Sequence, residues 1–254
     1  MNRSKYFYRN THDEANRLNS LATMYDPISI RLVSNLPDIK WGHSILDLGA
    51  ATCSLRDPLT DLGLAYYGVD IHFPKKSQFI TGEIRRHAIA DVENLPIKSG
   101  TFHIIHARLT LSHCRDISNA ISEIRRAIRQ DGHLIVIELS HTSREPYSKA
   151  FDAYRQVMKT VVQDTSPYSQ FNEPVFKLLK RDKLSSFRQV HHQIIPQIST
   201  CAEDPVRSIH RIQISDLTLK GLLDPKTGRR ALKDISRNDP LISSSLEIGV
   251  YSPT

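Results

Sequence analysis

A doubly wound, mainly parallel α/β sheet is the fold this sequence predicts, and three observations predict it. Short apolar runs alternate with stretches of helical period through residue 140. The run Leu134-Ile135-Val136-Ile137-Glu138-Leu139 is apolar on both faces, as a central parallel strand covered by helices has to be. The runs SILDL and YYGVDI flank a short helical stretch and so form a βαβ unit.

Taken in order, residues 12–36 carry Leu18, Leu21, Ala22, Tyr25, Ile28, Ile30, Leu32, Val33 and Leu36 at helical spacing, a helical N-terminal arm (residues 1–40) punctuated by Pro27 and Pro37. SILDL ends at Gly49, residues 53–62 suit a short helix, and YYGVDI follows as the second strand. HAIAD and FHIIHARL read as further strands. The stretch from Asp116 to Gly132 reads as a helix whose stripe is Ile117, Ala120, Ile121, Ile124 and Ile128. Asp116 is placed to cap its start, Arg125, Arg126 and Arg129 favour its C-terminal dipole, and Gly132 is its expected stop. Residues 141–187 then read as a helical insertion rich in aromatic and basic residues, too long for a simple connection. The tail returns with a strand at 188–198, helices within 205–223 and 227–236, and a last strand near LEIGVY.

Composition excludes several classes. At 254 residues, 39% apolar and 24% charged, the chain is neither disordered nor collagenous. No stretch approaches the 18 or so apolar residues of a membrane span, and the first twenty residues lack a signal-peptide core, so a cytoplasmic protein with no membrane partner is expected. Cys53, Cys114 and Cys201 show no metal-ligand spacing and read as free thiols. A formal charge of +7 without a Lys/Arg block is weak support for nucleic acid. Glycine is scarce, ten residues in all, so the position of each one is informative.

The chemistry gathers at two strand ends. Asp47-Leu48-Gly49 closes the first strand and runs into a helix, the layout in which an α/β sheet holds a nucleotide-like ligand, and Gly49 lets the backbone turn tightly there. Asp70 closes the second strand, where a carboxylate can accept from both hydroxyls of a ribose. Downstream come Asp91-Val92-Glu93-Asn94-Leu95-Pro96, Gly100-Thr101-Phe102, Leu111-Ser112-His113-Cys114-Arg115-Asp116 and Asp131-Gly132.

This succession resembles the class I S-adenosylmethionine-dependent methyltransferases, in particular the ubiquinone-biosynthesis-like, small-molecule group. The likeness covers about residues 44–140, and Thr11, Glu14, Arg17 and Leu18 look like the cap helix of several natural-product members. It implies a Rossmann-like, seven-stranded sheet over residues 41–254, with 141–187 as a lid, and S-adenosyl-L-methionine as cofactor. It further implies that Gly49, Ala50 and Ala51 line the methionine and ribose portion, with Asp47 fixing the loop, and that Asp70 holds the ribose hydroxyls. Ile71 would pack on the adenine, Asp91 would accept from the adenine amino group beside the Val92 backbone, and Ala107 and Arg108 would face the methionine moiety. The family loop usually reads D-x-G-x-G-x-G, and this chain departs from it with Ala51 and Cys53 where the second and third glycines belong. Cys53 then has to keep a negative φ or tolerate strain.

Methyl transfer from a sulfonium needs orientation and a base for the acceptor proton. His113 at the end of the fourth strand is the first candidate base and His141 the second; a helix-capping role for His113 stays open, and Glu138 is read as orienting a neighbour. Tyr8 of the arm and Tyr147, Phe151 and Tyr154 of the insertion would line a small, apolar or aromatic acceptor, with ordinary core packing as the alternative for each. The expected reaction is O-, N- or C-methylation in small-molecule biosynthesis. A methyltransferase-like cyclase or binding protein is the main alternative. A nucleic-acid methyltransferase lacks its N-P-P-Y-type run here, and a dinucleotide oxidoreductase lacks its G-x-G-x-x-G.

Overall fold

In the computed structural model, residues 14–73, 86–142, 148–163, 175–179, 186–199, 204–237 and 241–254 are described. Seven strands form one sheet: β1 (Ser44–Leu48), β2 (Ala65–Asp70), β3 (His87–Ile89), β4 (Phe102–Arg108), β5 (Ile128–Thr142), β6 (Phe187–Ser199) and β7 (Leu241–Pro253). Their spatial order is β3-β2-β1-β4-β5-β7-β6. The pairs β1–β2, β1–β4, β2–β3 and β4–β5 are parallel, while β7 runs antiparallel to both of its neighbours, β5 and β6. The strand order reverses between β1 and β4, the point at which a crevice opens at the carboxyl edge of such a sheet. The expected seven-stranded, mainly parallel sheet is therefore the one observed.

Because successive strand residues face opposite ways, each apolar run feeds two cores. On one face Leu46, Ile105, Leu134 and Val136 meet Ile117, Ile121 and Ile124 of helix α3 (Ile117–Ala127). On the other, Ile45, Ile104, Ile135 and Ile137 meet Tyr25 and Val33 of helix α1 (Glu14–Ser34). Between β1 and β2 lies the short α2 (Arg56–Asp61).

Two boundaries differ from the sequence expectation. Pro27 does not punctuate α1; the helix continues through it, since the deeply buried row Tyr25, Ser29 and Val33 anchors it on both sides of the proline. Asp116 does cap α3, accepting from the Ser118 and Asn119 amides, but the helix ends at Ala127. Arg129 therefore lies beyond the helix it was expected to favour. Ile128 and Gly132 already belong to β5, where a Cβ on Gly132 would come within 2.9 Å of the His103 carbonyl oxygen. Gly132 thus serves close strand packing and is not a helix stop.

The insertion supplies α4 (Lys149–Gln163) and α5 (Val175–Leu178), and the segment between β6 and β7 supplies α6 (Pro205–Leu219) and α7 (Pro225–Ile235). Phe151, Tyr154 and Met158 of α4 bury with Ile214 and Leu217 of α6 and with Ala231 and Ile235 of α7, a third core separate from the two on the sheet.

Candidate functional site

The loop after β1 is strained. Gly49 stands at φ +67°, and Ala51 and Cys53 adopt φ of +45° and +52°, a region that costs a side-chain-bearing residue on the order of 1–3 kcal/mol. The left-handed turns that glycine would supply are kept by residues with a Cβ. Asp70 at the end of β2 helps hold them: Oδ2 accepts from the Ala51 amide at 2.9 Å, and Oδ1 accepts from the His72 amide at 2.8 Å. Burial pushes this carboxyl upward, against the stabilising pull of the two amides. Ile71, next to it, is an apolar side chain 54% exposed at the carboxyl end of β2.

Asp47 faces inward. Its Oδ2 accepts from the Tyr66 hydroxyl at 2.7 Å and its Oδ1 lies 2.8 Å from His106 Nδ1, while His106 Nε2 lies 3.0 Å from Ser29 Oγ on α1. All four groups are buried, so Asp47 ties the sheet to α1. Cys53 is buried too, and that burial pushes its thiol up to about 12; it is a packed thiol and no nucleophile.

Arg108, at the end of β4, bonds Asp26 of α1, and Asp26 also accepts from Ser54 Oγ of the loop at 3.1 Å. The guanidinium expected to face the cofactor thus pins α1 across the ends of β1 and β4. Beyond it, Leu109 takes φ +51° and Thr110 folds back, its Oγ1 2.9 Å from the Leu48 carbonyl. A Cβ on Gly49 would meet that Oγ1 at 2.2 Å, so glycine is obligatory there. Glu138 on β5 accepts from the Thr110 amide at 2.9 Å and the Ser112 amide at 3.2 Å. It thereby orients the turn Leu111–His113, as expected of it, and its burial raises the carboxyl to about 7 despite those amides.

Asp91 accepts from the Glu93 amide and pairs with Arg115 at 3.3 Å, next to the buried Val92. His113 ends the turn after β4 and is exposed. Ala50 and Ala107 are buried against the sheet. Phe151 and Tyr154 lie in the helical core, where the Tyr154 hydroxyl is 2.8 Å from His210 Nδ1. The backbone of His141 lies in β5, while its side chain, Tyr8 and Tyr147 lie outside the described residues. The carboxyl edge thus collects Gly49, Ala51, Asp70, Ile71, Arg108 and the turn bearing His113. Asp26, Ser29, Ser54 and Thr110 were not singled out in the sequence; only the fold brings α1 and the β4 turn to the loop. A shallow cleft of about 450 Å³ bordered by Gly100, Arg129, Gln130 and Asp131 opens at the amino edge and carries none of these groups.

Comparison with known proteins decides the kind of fold. Residues 46–136 match the methyltransferase domain family. The chain has a class I methyltransferase fold. The match to that domain family is confined to residues 46–136. Over 105 residues it is 30% identical to the ubiquinone/menaquinone biosynthesis C-methyltransferase of Escherichia coli, a stretch covering 39% of this chain and 42% of that protein. The chain thus spans less than half the length of the curated relatives it matches. Among solved structures it resembles a methyltransferase-like protein of Bacillus halodurans C-125 (TM-score 0.56, 16% identity, 89% of this chain and 100% of that one). It also resembles the [4+2]-cyclase SpnF (TM-score 0.53, 16% identity, 91% and 82%). No helix among the described residues is long and apolar enough to cross a membrane.

Proposed function

We propose that the chain transfers a methyl group from S-adenosyl-L-methionine to a small, apolar or aromatic acceptor. The observation that carries this reading is Asp70: a carboxylate fixed at the end of β2 by two amides, with lone pairs to spare and half-exposed Ile71 beside it. That arrangement fits the nucleoside half of the cofactor, two hydroxyls donating to the carboxylate and a π-face against Ile71. Asp91 and Val92 would meet the adenine edge, and the loop 49–51 would take the methionine portion. The bound cofactor supplies the electrophilic methyl group. The chain's own residues orient the acceptor and hold its proton, which we assign to His113, exposed on a turn that Glu138 fixes.

Calorimetric titration with S-adenosyl-L-methionine and S-adenosylhomocysteine, followed by labelled transfer to fractions of a metabolite extract, tests the reading. Binding and a labelled small molecule are expected, and absence of binding sinks it. His113→Ala is expected to slow transfer at unchanged cofactor affinity; equal loss of both would make His113 structural. One observation favours a second reading, a methyltransferase-like cyclase or binding protein: Thr110 packs over Gly49, and Ala51 and Cys53 carry Cβ atoms where the family has glycine. Cofactor binding without transfer to any fraction would select it.

A further inference from the structure

Positive charge is concentrated where the linear sequence conceals it. Between Lys220 and Arg237 six cations stand against two carboxylates, a formal +4 of the chain's +7. On α7, Lys226, Arg229, Arg230 and Lys233 recur at three- and four-residue spacing and share one face about 100° wide. All four are exposed, opposite buried Gly228, Ala231 and Ile235. Two of the six are offset, Lys220 pairing with Asp216 at 3.0 Å and Arg237 lying 3.7 Å from buried Asp234, while Asp224 caps α7 by accepting from the Thr227 amide at 2.8 Å. Among the described residues Arg229, Arg230 and Lys233 form no ion pair. The turn that leads from α6 into α7 carries two outward leucines, Leu219 at 86% and Leu222 at 49% exposure, within a few residues of the first cation.

We propose that this turn and the outer face of α7 dock on an anionic lipid surface, the leucines entering the acyl boundary and the cations lying at the headgroup phosphates. Charge complementarity points to a polyanionic partner, and the paired leucines point to a lipid surface rather than a nucleic acid. Residues 204–237 contain no Phe, Tyr or Trp on which a base could stack. A helix that spans a bilayer is not needed, so the lack of an apolar span in the sequence does not bear on such a surface. The inference is independent of methyl transfer. Since α7 packs on α4, it also sets the helical layer that was expected to hold an apolar acceptor against the lipid.

Co-sedimentation of the full chain with vesicles of phosphatidylcholine, alone and mixed with phosphatidylglycerol, tests it. Binding to the mixed vesicles, falling with salt, is expected, with little binding to the neutral ones. Each cation removed is expected to weaken binding roughly fivefold, so Arg229→Glu with Arg230→Glu should cost at least tenfold. Leu219→Ser with Leu222→Ser should weaken binding while the salt dependence stays. All four positions are exposed, and an unchanged Tm confirms that the variants fold. Equal binding to neutral and anionic vesicles, an unaffected arginine variant, or binding to a single-stranded RNA oligonucleotide without binding to vesicles would each overturn the proposal.

Discussion

The carboxyl edge of the sheet and the α4–α6–α7 layer treat polar groups in opposite ways. Among the described residues of the helical layer, no buried polar side chain is left without a partner. Arg207 is fully buried and donates to Ser199 Oγ at 2.8 Å and to the Ile235 carbonyl at 2.7 Å, while Tyr154 meets His210, whose imidazole burial pushes down to about 4 and so keeps neutral. At the carboxyl edge Asp70 keeps lone pairs to spare, Ile71 is half exposed, and Ala51, Cys53 and Leu109 sit at left-handed φ beside Gly49. One region has satisfied itself, and the other holds strain and open valences that a ligand would complete. The difference separates scaffold from site.

That contrast can be broken most directly at Phe151. If it is scaffold, Phe151→Ala leaves a cavity and costs about 3–5 kcal/mol, seen as a large fall in Tm at unchanged cofactor affinity. Intact stability with loss of acceptor turnover would instead make Phe151 a site residue. The converse experiment is Asp70→Ala, expected to weaken cofactor binding at least tenfold, about 1.4 kcal/mol, with a further loss of stability from the two orphaned amides. Unchanged calorimetric affinity would remove Asp70 from the site.

Glu138 sharpens the comparison through pH. Its folded pKa of about 7 lies above the unfolded value of 4.5, so the folded state holds its proton more tightly. The stability this contributes is complete below pH 4.5 and is lost as pH rises through 7. It amounts to at most about 3 kcal/mol. Chemical denaturation from pH 4.5 to 8 is expected to show that loss in the native chain and a flatter profile in Glu138→Gln. The smallest effect is expected at the loop: Ala51→Gly relieves a left-handed alanine but loosens the unfolded chain, a net gain of no more than about 1 kcal/mol. A tighter cofactor complex should accompany it, and destabilisation would show that the alanine methyl is packed to advantage.

The sheet was legible because strand alternation and the Asp116 cap are local signals, and the order of the segments carried the rest. The edges of α1 and α3 were not, since burial on both sides of Pro27 and the strand pairing of Ile128 are decided by tertiary neighbours. Of the candidate site, the position of Gly49, Ala51 and Asp70 at the carboxyl edge was readable because motif spacing sets backbone position. The partners of Asp47, His106 and Arg108 were hidden, as His106, Ser29 and Asp26 lie 59, 77 and 82 residues away along the chain from the groups they meet. No spacing rule links them. Cys53 was expected to keep a negative φ or tolerate strain, and it tolerates strain.

The antiparallel β7, threaded between β5 and β6, also fixes when the molecule can finish. A growing chain makes β5 by residue 142 and β6 by residue 199, yet the two are joined only through β7, residues 241–253, which comes last. Through that interval β5 presents an apolar, unpaired edge, and α6 and α7 are made before the strand that seats them. Synthesis therefore passes through a state with β1 to β5 assembled and an open β5 edge, the stage at which this chain is most exposed to aggregation or to a chaperone.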